Sequence, residues 1–159
     1  MSYVYKIMKS PVGELKLIAD HNGLAAVLWE GDRPDRVRVR SDIKDENHPV
    51  LLEAETQLSE YFSGIRTSFS LQLDFIGTDF QIKVWQALLQ IPYGETRSYG
   101  EVARQLGHPK ASRAVGAANG RNPISIIAPC HRVIGSTGKL TGFAGGLNAK
   151  KLLLLLENS

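Results

Sequence analysis

Apolar and polar positions alternate through most of the first thirty residues. Residues 3–8 are rich in aromatic and β-branched side chains and predict a strand. Glu14 to Ala19 alternates polar with apolar, His21-Asn22-Gly23 supplies the Asn-Gly signal of a tight hairpin, and Leu24 to Trp29 returns as the next strand. Gly31 to Asn47 is charged, has two prolines nearby and shows no clear period, which predicts a mobile or partly stranded connection. From Pro49 the period lengthens: Leu51, Ala54, Leu58, Tyr61 and Phe62 fall on one helical face, and Gly64 suits the stop. Phe69, Leu71 and Leu73 alternate again as a strand. The first half reads as a small α+β unit without an evident catalytic cluster.

Gly77 marks a boundary, so the pattern divides the chain into 1–76 and 77–159. Thr78-Asp79-Phe80-Gln81 is a capping box, and Phe80, Val84, Trp85 and Leu88 form the buried stripe of a helix ending near Gln90. Ile91-Pro92-Tyr93-Gly94 is a turn. Ser98-Tyr99-Gly100-Glu101 is a second capping box, opening a helix with Val102, Ala103 and Leu106 inside and Gly107 just past its end. Pro109 fits the first turn of a third helix, running through Ala111, Arg113, Val115 and Ala118 to about Asn119. Two short helices joined by a glycine-containing turn predict a helix-turn-helix. Ile124–Ile127 and Val133–Ile134 are short β-like runs, and Ser136-Thr137-Gly138-Lys139 is a turn between or after them. Together they suggest the ribbon of a winged helix, and a last helix follows from about Asn148 to Glu157.

Composition narrows the function. Hydrophobic residues make up 43% of the 159 and charged residues 22%, ordinary for a soluble globular protein. Apolar runs such as Leu152 to Leu156 are far too short to cross a bilayer, so no membrane role is expected. No basic region followed by a long apolar stretch opens the chain, and the one cysteine is unpaired, which points to a reducing, cytoplasmic setting. With no cysteine and two histidines in the first half, a zinc site there is not expected. The net charge of +3 is uneven, −3 over residues 1–75 and +6 over 76–159, which fits a polyanion-binding second half or a simply solvated one.

The candidate chemistry sits in Ala128-Pro129-Cys130-His131-Arg132-Val133-Ile134-Gly135. Cys130 is the only cysteine, so it enters no intramolecular disulfide and no multi-cysteine metal site. A lone thiol beside a potential base suits a cysteine nucleophile, whose reactive form is the thiolate, although a buried structural cysteine has the same signature. The third helix, Pro109 to Asn119, carries unusually small side chains. That suits close approach to a groove, or equally to a neighbouring helix. Lys110 and Arg113, three apart, would share one side of it.

Pro129-Cys130-His131-Arg132-Val133 resembles the acceptor motif of the O6-alkylguanine-DNA alkyltransferases, and further matches run from about Phe80 to Glu157. The resemblance implies a small N-terminal α/β domain of ribonuclease-H-like topology, followed by a mainly helical winged-helix domain that docks in the minor groove of double-stranded DNA containing alkylated bases. It implies a stoichiometric, single-use methyltransferase that is monomeric and needs no cofactor or metal. The enzyme flips O6-alkylguanine, and on this reading also O4-alkylthymine, out of the duplex and transfers the alkyl group to Cys130. Arg113 would fill the space left in the stack, with Lys110 and Ala111 beside it at the DNA. Tyr99 would crowd the neighbouring phosphate and donate to guanine N3.

The same resemblance assigns the inner site. Glu157 would orient His131, and a water would link His131 to Cys130, because adjacent side chains on extended backbone point to opposite faces. The amides of Val133 and Ala144 would hold O6, Asn122 would brace the turn ahead of the motif, and Gly142 to Gly146 would form the far wall. Phe143 stands where tyrosine is commoner in the family, keeping an apolar wall without a hydroxyl. Three rivals remain. A lesion sensor of the same build carries tryptophan in place of Cys130, a winged-helix regulator gives no reason for the motif, and a cysteine hydrolase would need an oxyanion site.

Overall fold

The computed structural model describes residues 2–135 and 143–158. Three strands, β1 (Val4–Ser10), β2 (Gly13–Asp20) and β3 (Gly23–Trp29), form an antiparallel meander in the order β1-β2-β3. The Asn22-Gly23 turn closes the second hairpin where the sequence placed it, with Asn22 N–H held by the Asp20 carboxylate at 2.8 Å. Helix α1 (Pro49–Phe62) starts on His48, whose Nδ1 accepts from Val50 N–H, and lays Leu51, Ala54, Leu58 and Tyr61 against the sheet.

The open edge of β3 explains why 69–73 is not a full strand. Leu24 takes a hydrogen bond from Asp74 N–H and gives one to Gln72 O, while Val27 N–H goes to Pro123 O. Two segments thus share that edge, and each supplies a single bridge, Leu24 with Leu73 and Val27 with Ile124. The connection 31–47 is likewise only partly stranded. It pairs with β1 at one bridge, Tyr5 with Lys44, and Ser41 Oγ donates to Tyr3 O at 2.7 Å.

The second half opens with α2 (Asp79–Leu88) and, after a turn and the short β4 (Arg97–Ser98), α3 (Tyr99–Gln105); both helices begin in complete capping boxes. Gly107, at φ +80°, ends α3 in the left-handed conformation that glycine adopts without strain. Helix α4 spans Ser112–Gly120, three residues later than Pro109 suggested. His108 to Ala111 instead closes a turn, with Ala111 N–H on His108 O at 2.9 Å, and proline serves that turn as well as a first helical position. Lys110 therefore precedes the helix and does not share its face with Arg113. Trp85 Nε1 ties α2 to α4 through Ala118 O at 2.8 Å.

The expected ribbon of 124–127 with 133–134 does not form. Ile124 to Ala128 folds into a tight turn, and β5 (Val133–Ile134) pairs in parallel with β4. The turn expected at Ser136–Lys139 lies outside the described residues. The last helix, α5, runs Leu147–Glu157.

Among the described residues two large cores result beside a small one of Ile18, Ala25, Ala26 and Val39, and the large ones do not follow chain order. One joins the sheet and α1 to Ile124, Ile126, Ile127 and, from α5, Ala149 and Leu153. The other holds Val84, Trp85, Leu88, Val102, Val115, Ala118, Val133 and Cys130. The Pro-Cys-His-Arg-Val segment runs along the seam between them.

Candidate active site and DNA-facing helix

Residues 122–133 are all buried, although no regular element spans most of them. A buried irregular segment must find partners for its backbone, and Asn122 supplies several. Its Nδ2 donates to Ala128 O at 2.8 Å and its Oδ1 accepts from Ile124 N–H at 3.0 Å. Ile126 sits at φ +74°, a conformation that costs a β-branched residue about 1–3 kcal/mol and persists because the neighbourhood imposes it. Trp29 contributes to that neighbourhood through an indole hydrogen bond to Ser125 Oγ at 3.1 Å.

Cys130 to Arg132 forms one turn of 3₁₀ helix, closed by Arg132 N–H on Pro129 O at 2.9 Å, rather than the extended backbone expected. Successive side chains on such a turn diverge by about 120°, so Cys130 and His131 still point apart. Val133 N–H closes the turn on Cys130 O. The amide expected to hold O6 is thus already engaged, and a substrate oxygen would share it.

Glu157 gathers the chemistry. His131 Nε2 lies 2.7 Å from Oε2, Tyr61 Oη donates to the same oxygen at 2.6 Å, and Arg132 binds both oxygens at 2.8 and 2.9 Å. Gly94 N–H reaches Oε1 at 3.2 Å, from a turn residue at φ +81° where a side chain would be strained. Burial by itself would raise this carboxyl. Hydrogen bonds from His131, Arg132 and Tyr61 outweigh it and hold Glu157 well below the usual carboxylate range.

Burial pushes His131 down, further than Glu157 pulls it up, so the imidazole is neutral near pH 7. The network assigns its proton to Nε2, facing the carboxylate. Nδ1 is then a bare acceptor, buried and without a hydrogen-bond partner among the described residues. Burial also raises the Cys130 thiol, against the pull of the Asn122 and Ser125 side chains and the charges of Arg36 and Lys150. The residue is 4% exposed and rests as a thiol, so it needs a base before it can act.

The other expected residues lie around this cluster. Tyr99 opens α3, half-buried, with its ring 3.7 Å from where a side chain on Gly116 of α4 would begin. Arg113, near the start of α4, and Lys110 are exposed, with Ala111 half-buried between them. Phe143 stands edge-on to Trp29, ring centres 5.3 Å apart, and Ala144 is exposed beside it.

Four residues belong to the site without having been singled out. Tyr61 and Arg132 hold Glu157. Lys150, fully buried on α5, donates to Val133 O at 2.8 Å, and its spacing from Leu153 and Glu157 (i, i+3, i+7) could have placed it on the same stripe. Arg36 grips Asp32 with two bonds and donates to Gly120 O and Asn122 O, stapling the charged connection to the end of α4. Among the described residues, no group of three or more His, Cys, Asp or Glu could hold a metal ion. No described helix is long and apolar enough to cross a membrane.

Residues 79–159 match the DNA-binding domain of 6-O-methylguanine DNA methyltransferase, and residues 3–75 its ribonuclease-like domain. The chain is 53% identical over 156 residues to a methylated-DNA–protein-cysteine methyltransferase of Methanosarcina acetivorans, covering 98% of each. It is 51% identical over 158 residues to the protein of that name from Mycobacterium tuberculosis, covering 98% of this chain and 92% of the relative. A crystal structure of Mycobacterium tuberculosis OGT in complex with DNA superposes with a TM-score of 0.86 at 50% identity, over 99% of this chain and 92% of that one. The chain therefore belongs to the methylated-DNA–protein-cysteine methyltransferase family.

Proposed function

We propose that the protein repairs DNA by extruding an O6-alkylated guanine from the duplex and transferring the alkyl group to Sγ of Cys130, once per molecule. A sulfur this buried cannot meet a base inside the stack, and extrusion costs a few kcal/mol, least for a weakly paired base. Arg113, exposed near the start of α4, fills the vacated space, with Lys110 and Ala111 alongside. Tyr99 turns the nucleotide outward. The small residues of α4 suit the minor groove, where sequence information is sparse and a lesion is accepted in any context.

His131 takes the thiol proton on Nδ1 through a bridging water, and Glu157 stabilises the imidazolium that forms. The thiolate attacks the alkyl carbon, the carbon–O6 bond breaks, and its electron pair passes to the guanine. Tyr99 donates to N3, the amides of Val133 and Ala144 hold O6, and the proton lost from sulfur ends on the ring. The product thioether is a poor electrophile, and no second cysteine exists to accept the group. O4-alkylthymine presents the same alkyl–oxygen bond and is a second substrate.

The observation that carries this reading is the buried neutral imidazole, held by Glu157 at Nε2 and without a partner at Nδ1 among the described residues, in the residue next to the only thiol. Residues 1–76 support the site and 77–159 carry the DNA surface and the acceptor, in a cytoplasmic monomer. Titrating the protein with excess duplex bearing O6-methylguanine tests it. Repair stops at one lesion per molecule, whereas continued turnover rules out a single-use acceptor.

A further inference from the structure

Among the described residues, every polar group that faces the His131–Glu157 pair comes from residues 91–157 except one. Arg132 binds both carboxylate oxygens, Gly94 gives its amide, Lys150 lies on α5, and Tyr93 reaches Leu156 O at 3.3 Å without touching the carboxylate. The exception is Tyr61 of α1. Its hydroxyl crosses from the sheet's own helix to donate at 2.6 Å to Oε2, the oxygen that also meets His131 Nε2. The bond is buried, and the tyrosine ring is fixed by Phe62, Phe69 and Tyr93 with ring centres 5.4 to 6.2 Å away.

We infer that Tyr61 is a positioning residue for the transfer: by occupying Oε2 it limits how strongly Glu157 attracts a proton onto His131. The inference rests on the relay proposed above and gives the N-terminal half a part in it. A base that must accept the thiol proton has to be neutral at rest. A carboxylate 2.7 Å away favours the charged imidazole, and each competing donor on the same oxygen draws that charge off. Burial and the charges of Arg132 and Lys150 work in the same direction as Tyr61, keeping the ring neutral.

Tyr61→Phe tests this in the full-length protein, because the ring keeps its neighbours and Oε2 keeps two other donors. His131 becomes easier to protonate, so the acid limb of the single-turnover rate moves to higher pH. Near pH 6 the variant is about three- to tenfold slower than the parent, and at about pH 8.5 the two agree within about twofold. The His131 ring resonances in NMR titrate at higher pH in the variant. Tyr93→Phe, which removes a neighbouring hydroxyl that does not touch the carboxylate, moves neither. An equal loss of rate at every pH, an unmoved His131 titration, or the same shift in Tyr93→Phe overturns the inference. His131→Gln separates the two levels. If it transfers as fast as the parent, the relay itself is wrong. If it is slow while Tyr61→Phe leaves the acid limb in place, only the role of Tyr61 falls.

Discussion

His131 Nε2 meets Glu157 Oε2 at 2.7 Å across 26 residues of chain, and neither side chain is open to solvent. A carboxylate at the last residue of a helix opposes the helix dipole, so nothing local favours Glu157 there. The donors that converge on it from α1, from the turn at Gly94 and from the acceptor motif supply the reason.

Glu157→Gln removes the charge and leaves the Arg132 guanidinium buried without its anion. Stranding one member of a buried pair costs about 3–5 kcal/mol, and loss of an oriented base slows transfer by roughly a hundredfold. Urea unfolding and single-turnover kinetics on duplex substrate measure the two effects.

Stability depends on pH with a definite sign on each side. His131 is held below its ordinary value near 6.5, and Glu157 below its ordinary value of 4.5. In both cases the unfolded chain takes up a proton first, so stability falls as pH drops through 6.5 and again below 4.5. Cys130 is held above its ordinary value of 9.0, so the unfolded chain loses its proton first and stability falls as pH rises past 9.0. Lys150, pushed down by burial, acts in the opposite sense at high pH, so the thiol's share is read as the difference from Cys130→Ser. Denaturant midpoints across the pH range give these slopes directly.

Asn122→Ala deprives Ile124 N–H of its acceptor inside a fully buried loop and leaves Ala128 O with Cys130 N–H as its donor. About 2 kcal/mol of stability is lost, since unsatisfied buried groups carry their full desolvation cost. Transfer slows as well, because the Asn122 side chain also helps the Cys130 thiolate. Thermal unfolding and the rate on duplex substrate check both.

Arg113→Ala separates extrusion from chemistry. The side chain is exposed on α4, whereas Cys130, His131 and Glu157 are buried. Repair of duplex slows by about tenfold or more, while reaction with a free O6-alkylguanine base, which needs no extrusion, changes by less than about twofold. A loss of equal size on both substrates places Arg113 in the chemical step instead.

Local signals in the sequence translated well. The capping boxes at Thr78 and Ser98, the Asn22-Gly23 hairpin and the apolar face of α1 each depend on residues no more than four positions from the next, and all formed as expected. Pro109 misled because proline suits a turn as well as a helix start, and the ribbon failed because β5 found its partner in β4, more than thirty residues earlier. In the site, the motif and the pairing of Glu157 with His131 were legible through the family resemblance. Tyr61 and Arg36 were not, because their meaning lies in contacts across 86 and 96 positions that no periodicity encodes; Lys150 shares a helical stripe with Glu157, but its contact with Val133 is not written in that spacing.

Alkyl transfer to Cys130 is covalent and changes the mass of the protein. After incubation with duplex carrying one O6-methylguanine, the proteolytic peptide containing Cys130 gains about 14 Da, a methyl in place of a hydrogen, with the modification on sulfur. The same peptide from Cys130→Ser stays at its original mass and the lesion persists in the DNA. Clearance of the methyl group by Cys130→Ser, or an unmodified Cys130 peptide after complete repair, contradicts the account.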